Sequence, residues 1–162
     1  MFKTRLGREG GFTLIEMVIV IVIIGILMGL AFRGVSSFQQ NARDTLRLSD
    51  LRQTQAFLEL YYGRCGHYPT AGTCGTPSTT TGSLTWLGTG ATALQAKLTD
   101  VVDAKNVPDD PIQGKDYLYR YGANGTDYVI AATTERIGNN RDVTGTILTL
   151  NCSATTTYCL TN

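Results

Sequence analysis

The feature that most restricts this chain is the run from Phe12 to Phe32, FTLIEMVIVIVIIGILMGLAF, 21 residues in which Glu16 carries the only charge. As a helix it spans roughly 32 Å, the depth of a bilayer core, so it reads as a transmembrane segment. An ordinary secretory signal has a shorter apolar core and a small-residue cleavage site behind it. Here Ala31 is followed by Phe32 and Arg33, and the run continues into helix-compatible sequence. Lys3, Arg5 and Arg8 stand ahead of the run against the single acid Glu9. The positive-inside rule therefore keeps residues 1–11 in the cytoplasm and sends the chain after Arg33 across the membrane, into an oxidising compartment. Glu16 is the anomaly, because a carboxylate in an apolar helix costs about 2.5–3.5 kcal/mol on insertion scales. It either snorkels to the interface or has a partner.

Gly10-Gly11-Phe12-Thr13-Leu14-Ile15-Glu16, behind a short basic leader and ahead of the apolar run, closely resembles the class III signal of type IV pilins and of the pseudopilins of type II secretion systems. The resemblance implies that a prepilin peptidase removes residues 1–11 by cutting after Gly11 and that the new terminus, Phe12, is N-methylated. It implies that Glu16 neutralises the terminal amine of a neighbouring subunit, since opposite charges in an apolar bundle are tolerated only in pairs. Loss of the leader removes three of 14 basic and one of 13 acidic residues, leaving a nearly neutral mature chain. The implied partners are further copies in a helical filament, the peptidase/methylase, an assembly platform and minor pilins. The implied location is the cytoplasmic membrane for the single-span precursor, then an extracellular or periplasmic filament. The implied fold is α+β, a long N-terminal helix packed on a small antiparallel sheet. Many pilins carry a helix-breaking Pro in this helix, whereas this chain has Arg33 in that region and no Pro before Pro69. Local melting on assembly would have to rely on Gly25, Gly29 and Gly34. Gly25 and Gly29 also form a GxxxG spacing that permits close helix packing.

Helical periodicity continues past Arg33 through Val35, Phe38, Ala42, Leu46, Leu51, Leu58 and Tyr61 or Tyr62. One helix from about Phe12 to Tyr62, stopped at Gly63, is expected. Residues 12–32 form its membrane and fibre-core half and 33–62 its amphipathic half, which turns Arg43, Asp44, Arg47, Asp50 and Arg52 toward solvent or neighbouring subunits. Residues 63–162 are the head. Residues 63–93, rich in Gly, Thr and Ser, read as an exposed connection. A short helix is expected over 91–104, with strands over 117–121, 128–133 and 146–152 and turns at 122–125 and around 138–145. Asp110-Pro111 through Tyr117–Tyr121, together with Tyr61-Tyr62 and His67-Tyr68-Pro69, is similar to the major pseudopilin of type II secretion.

Four cysteines allow three pairings. The nearest-neighbour solution joins Cys65 to Cys74 and Cys152 to Cys159, the second loop being similar to the disulfide-bounded C-terminal region of many type IV pilins. The rival is a metal site made of Cys65, His67 and Cys74. Some pseudopilins hold calcium in the C-terminal loop, and Asn124, Asp127, Asn139, Asn140 and Asp142 supply oxygen donors in the corresponding region; turn chemistry accounts for the same residue types.

The only histidine, His67, has no carboxylate or serine partner in sequence, so the chain is not expected to be an enzyme. A net charge of +1 over 162 residues gives no general pull toward nucleic acid, and Asp44 and Asp50 interleave the best basic candidates, Arg43, Arg47 and Arg52. The expected function is that of a structural subunit of a type IV pilus or related filament. A major-type pseudopilin is the alternative, and an unprocessed single-span protein with an outer binding domain is the competing class.

Overall fold

The computed structural model describes residues 11–136, 145–153 and 156–162, with residues 32–34 as backbone. The charged leader residues, the turn around Gly138 and the calcium candidates Asn139, Asn140 and Asp142 lie outside the described residues. Helix α1 runs from Leu14 to Cys65. The chain divides into two compact units, Met1–Gln39 and Gln40–Asn162.

In the first unit every described side chain from Gly11 to Ala31 is exposed, the whole apolar run included. The helix is long and apolar enough to cross a membrane. Val35 and Phe38, which continue the helical periodicity, are exposed as well.

In the second unit the buried face of α1 is Asp44, Arg47, Leu51, Thr54, Leu58 and Tyr61, each at most 7% exposed. These positions alternate steps of three and four, the spacing of one helix face. Leu46, expected in the stripe, is 53% exposed. The expectation that Arg43, Asp44, Arg47, Asp50 and Arg52 all face solvent or neighbouring subunits is thus overturned for two of them: Asp44 and Arg47 are buried, Arg43 and Asp50 are half-buried, and Arg52 is exposed. The helix also runs through Gly63. It stops because Gly66 adopts φ 74°, a left-handed conformation suited to glycine, and returns its N–H to the Tyr62 carbonyl at 2.8 Å.

Strands β1 (Gly82–Leu84), β2 (Leu118–Tyr121), β3 (Tyr128–Thr133) and β6 (Thr157–Thr161) form an antiparallel sheet in the order β1-β2-β3-β6. Tyr119 pairs with Ile130, Ile130 with Leu160, and Ala131 with Cys159. Period-two alternation puts Tyr119, Tyr121, Tyr128, Ile130 and Leu160 in one core with Leu51, Leu58 and Tyr61 of α1. Helix α2 (Leu94–Val102) adds the fully buried Leu94 and Leu98. The opposite sheet face carries Val129, Ala131 and Cys159, against which Ile147, Leu148 and Leu150 pack.

Those three residues belong to a hairpin of β4 (Thr146–Ile147) and β5 (Leu150–Asn151), not to the single strand expected over 146–152. Leu148 and Thr149 both have positive φ, 45° and 67°, which reverses the chain between the two short strands. Disulfides join Cys152 to Cys159, tying β6 to the segment after β5, and Cys65 to Cys74 at the end of α1.

Residues 63–93 are not an exposed connection. Tyr68, Thr70, Leu84 and Trp86 are buried, and the Trp86 indole donates to the Pro108 carbonyl at 2.7 Å. Strand β1 has a Gly-Ser-Leu sequence of weak strand propensity and exists through its pairing with Tyr119–Tyr121.

Candidate processing and assembly segment

Gly11, Phe12 and Thr13 precede the helix without regular structure, and α1 begins at Leu14. The peptide bond between Gly11 and Phe12 therefore lies outside the hydrogen-bonded helix, in a segment that a peptidase can hold extended. Glu16 sits in the first helical turn, where the helix dipole favours an acid. Its carboxylate Oε2 accepts from the Thr13 amide at 2.8 Å and from the Thr13 hydroxyl at 2.6 Å. Phe12, Glu16, Met17, Ile19 and Val20 line an open recess of about 510 Å³ whose only charge is Glu16. Gly25 and Gly29 have open space where a Cβ would stand, so neither is required by contacts among the described residues. Burying an exposed Ile, Leu or Val side chain stabilises by about 1.5–3 kcal/mol. A continuous surface of them therefore demands a bilayer or neighbouring apolar helices.

The head fixes its end of α1 through charge. Arg47, 1% exposed, donates Nε to Asp110 Oδ2 at 2.7 Å and Nη2 to Asp110 Oδ1 at 3.0 Å. Its Nη1 donates to Asp44 at 2.8 Å and to Glu135 at 3.0 Å. Arg43 grips Glu135 with two further bonds of 2.7 and 2.6 Å. Asp44 in turn accepts the Glu135 and Arg136 backbone N–H groups at 3.0 and 3.2 Å, and Asp110 accepts that of Ile112 at 2.9 Å. One helix segment is thereby tied to the loop before β2 and to the end of β3.

The Asp110 bonds above all, helped by Glu135 and Asp44, raise the Arg47 guanidinium further above its ordinary range, against the pull of burial. Burial pushes the Asp110 carboxyl up, but the Arg47 hydrogen bonds and the Ile112 amide outweigh it and hold the group below its usual value. Glu135 is held down to about 2, first by Arg43 and then, against burial, by Arg47. Two tyrosines add neutral anchors: Tyr117 donates to Asp50 at 2.7 Å and Tyr68 to Glu59 at 3.0 Å.

Among the candidates for a basic patch, Arg43 and Arg47 have their guanidiniums committed to carboxylates. At the rival metal candidates Cys65, His67 and Cys74, both sulfurs are in the disulfide and the two His67 ring nitrogens lie 2.8 and 3.0 Å from the Tyr68 and Cys74 carbonyl oxygens. Of the described calcium candidates, Asn124 lies at φ 58° in a 3₁₀ turn over Ala123–Gly125, and Asp127 Oδ1 accepts from the Thr126 hydroxyl at 2.9 Å. Among the described residues no group of three or more His, Cys, Asp or Glu is placed to hold a metal ion.

Three functional residues escaped the sequence reading. Thr13 carried a signal, the Thr-x-x-Glu pattern ahead of an apolar run. Asp110 stands out in sequence only within the Asp-Pro pattern and Glu135 not at all, and nothing local marks either as the partner of Arg47.

Residues 6–32 match the family described as the prokaryotic N-terminal methylation motif. No match was found among curated proteins or among solved structures. The chain carries a type IV pilin-like class III signal. That signal, with a long N-terminal helix whose second part packs against a small antiparallel sheet, supports a type IV pilin-like or pseudopilin precursor and fits anchoring in a membrane by the apolar part of α1. The motif implies processing by prepilin peptidase and assembly into a filament.

Proposed function

We propose that the chain is a structural subunit of a type IV pilus or related filament, held in the cytoplasmic membrane with residues 1–11 inside, cut after Gly11, N-methylated at Phe12 and polymerised outside through its apolar helix. The observation that carries this reading is the coincidence of the methylation motif over residues 6–32 with a helix segment, Leu14 to Leu30, whose apolar side chains are all exposed among the described residues. A surface of that kind, repeated head to tail, gives an open helical filament. Glu16 is the sole charge in that surface and pairs with the methylated amine of a neighbour, so a misregistered subunit strands a charge. Assembly platform and minor pilins are the further partners of this reading. A second reading, a major-type pseudopilin, is favoured by Asp110-Pro111 leading into the tyrosine strand β2, where Asp110 anchors the loop to Arg47.

The test is the mass of the N-terminal peptide of protein purified from its native membrane or filament fraction. A peptide beginning at methylated Phe12 is expected. A peptide beginning at Met1 would sink the filament reading in favour of an unprocessed single-span protein with an outer binding domain. Immunogold labelling of surface fibres against periplasm then separates pilus from pseudopilus.

A further inference from the structure

The two disulfides of the head sit in opposite surroundings. Cys152 and Cys159 are 0% exposed and packed with Val129 and Ala131, whereas Cys65 and Cys74 are both half-buried, each between two exposed chain neighbours. Exchange requires a thiolate to reach a sulfur, so access alone separates the two bridges. Charge separates them further. The sequence holds no Asp or Glu from Leu60 to Thr99, and Arg64 directly precedes Cys65. Lys97 donates Nζ to the Gly72 carbonyl at 2.5 Å, two residues from Cys74, while the carboxylate of Glu59 is engaged by the Tyr68 hydroxyl. Cations beside a partly exposed bridge attract an anionic attacker and stabilise the thiolate it expels.

We propose that Cys65–Cys74 is a reversible thiol–disulfide exchange site, a latch that a dithiol opens while Cys152–Cys159 stays closed and the head stays folded. One thiolate of the dithiol attacks a sulfur of the bridge; a mixed disulfide forms, the Cys65–Cys74 bond breaks, and the other sulfur leaves as a thiolate that takes up a proton. The second thiol, deprotonated, then displaces the remaining cysteine, so two electrons pass to the pair and the dithiol departs as a disulfide. The opening is local because both ends of the loop are pinned. The Tyr68 N–H donates to the Gly125 carbonyl at 2.9 Å, the Tyr119 hydroxyl to the Pro69 carbonyl at 2.8 Å, and the Asn124 N–H to the Ser78 carbonyl at 2.8 Å. Between these pins, residues 71–77 are held by the disulfide, by the Lys97 bond and by the Gly72 N–H on the Thr70 hydroxyl at 3.1 Å. His67, 6% exposed, has its Nε2 against the Cys74 carbonyl at 3.0 Å, so release of Cys74 uncovers the one histidine of the chain.

The experiment treats the full-length protein in detergent with dithiothreitol at fixed pH and quenches with iodoacetamide. Peptide mass reads the four cysteines, Trp86 emission reads the head, and deuterium exchange at the ring C2 position reads His67. Before dithiol is added no cysteine should label. Afterwards Cys65 and Cys74 should label at least about tenfold faster than Cys152 and Cys159, which wait for the head to open. Trp86 emission should stay constant and His67 exchange should quicken, and both cysteine labelling and exchange should revert when oxidised glutathione replaces the dithiol. A Cys65→Ser/Cys74→Ser double variant should keep the parent's Trp86 emission and exchange His67 rapidly with or without dithiol. Equal labelling rates at the two bridges, or labelling of Cys65 and Cys74 in untreated protein, would overturn the proposal. So would an unchanged His67, failure of the bridge to re-form, or loss of the Trp86 signal in step with reduction or in the double variant, which would make the bridge a structural staple.

Discussion

The two units of this molecule solve burial in opposite ways. From Phe12 to Leu30 the side chains, apolar but for Thr13 and Glu16, are exposed, while the helix segment after Gln40 buries an arginine and an aspartate together with leucines. Polarity alone does not tell the inside of a chain from its outside. A side chain's surroundings follow from whether its own fold supplies a partner: Arg47 has three carboxylates within 3.0 Å and is buried, whereas Ile21 is 65% exposed. The first unit leaves its apolar side chains exposed among the described residues, whereas the second carries its own core.

The sharpest break of this contrast is Arg47→Met. It strands Asp110 and Asp44 in buried positions and should destabilise the head by about 3–5 kcal/mol. Trp86, the only tryptophan and 3% exposed, reports the transition of the head in detergent-solubilised full-length protein. Leu58→Ala, at a fully buried contact between helix and sheet, should cost about 2–5 kcal/mol by the same measurement.

Acid should loosen the clamp reversibly. Glu135 titrates at about 2 in the fold against an ordinary 4.5, so its contribution is complete above about pH 4.5 and is lost as pH falls toward about 2. The Trp86 transition should shift to lower denaturant across that window, and a flat profile would count against the Arg43–Glu135 contact. Tyr117→Phe removes one phenol-to-Asp50 bond and should cost about 1 kcal/mol. Smallest of all, Ile21→Ala should leave the head transition within about 0.5 kcal/mol, because no contact of the head is touched. The same variant should lower filament yield, and a head destabilised by it would break the division into two units.

Much of the architecture was legible from residues 12 to 133. The apolar run, the helix over Leu94–Val102, the strand Tyr128–Thr133 and the inward tyrosines of β2 each carry their own periodicity. The edge strands were not legible: Gly82–Leu84 has no pattern of its own, and Thr157–Thr161 lies beyond a segment that offered no recognisable motif. Leu46 follows the apolar periodicity of α1 yet is exposed, because the buried face passes through the paired Arg47 instead. Spacing from Leu51, Thr54 and Leu58 back to Arg47 and Asp44 held the correct phase.

Sequence by itself determined the N-terminal part of the chain. A run of apolar residues with one acid, behind glycine and a basic leader, acts through properties each residue has wherever it is placed: transfer free energy, charge, and the local reach of Thr13 to Glu16. Only the tertiary structure decided the fate of Arg47, Asp110 and Glu135, which are separated by 63 and 88 residues from helix to loop. An ion pair's worth depends on distance and on exclusion of water, and both are set by the sheet that brings those loops to the helix.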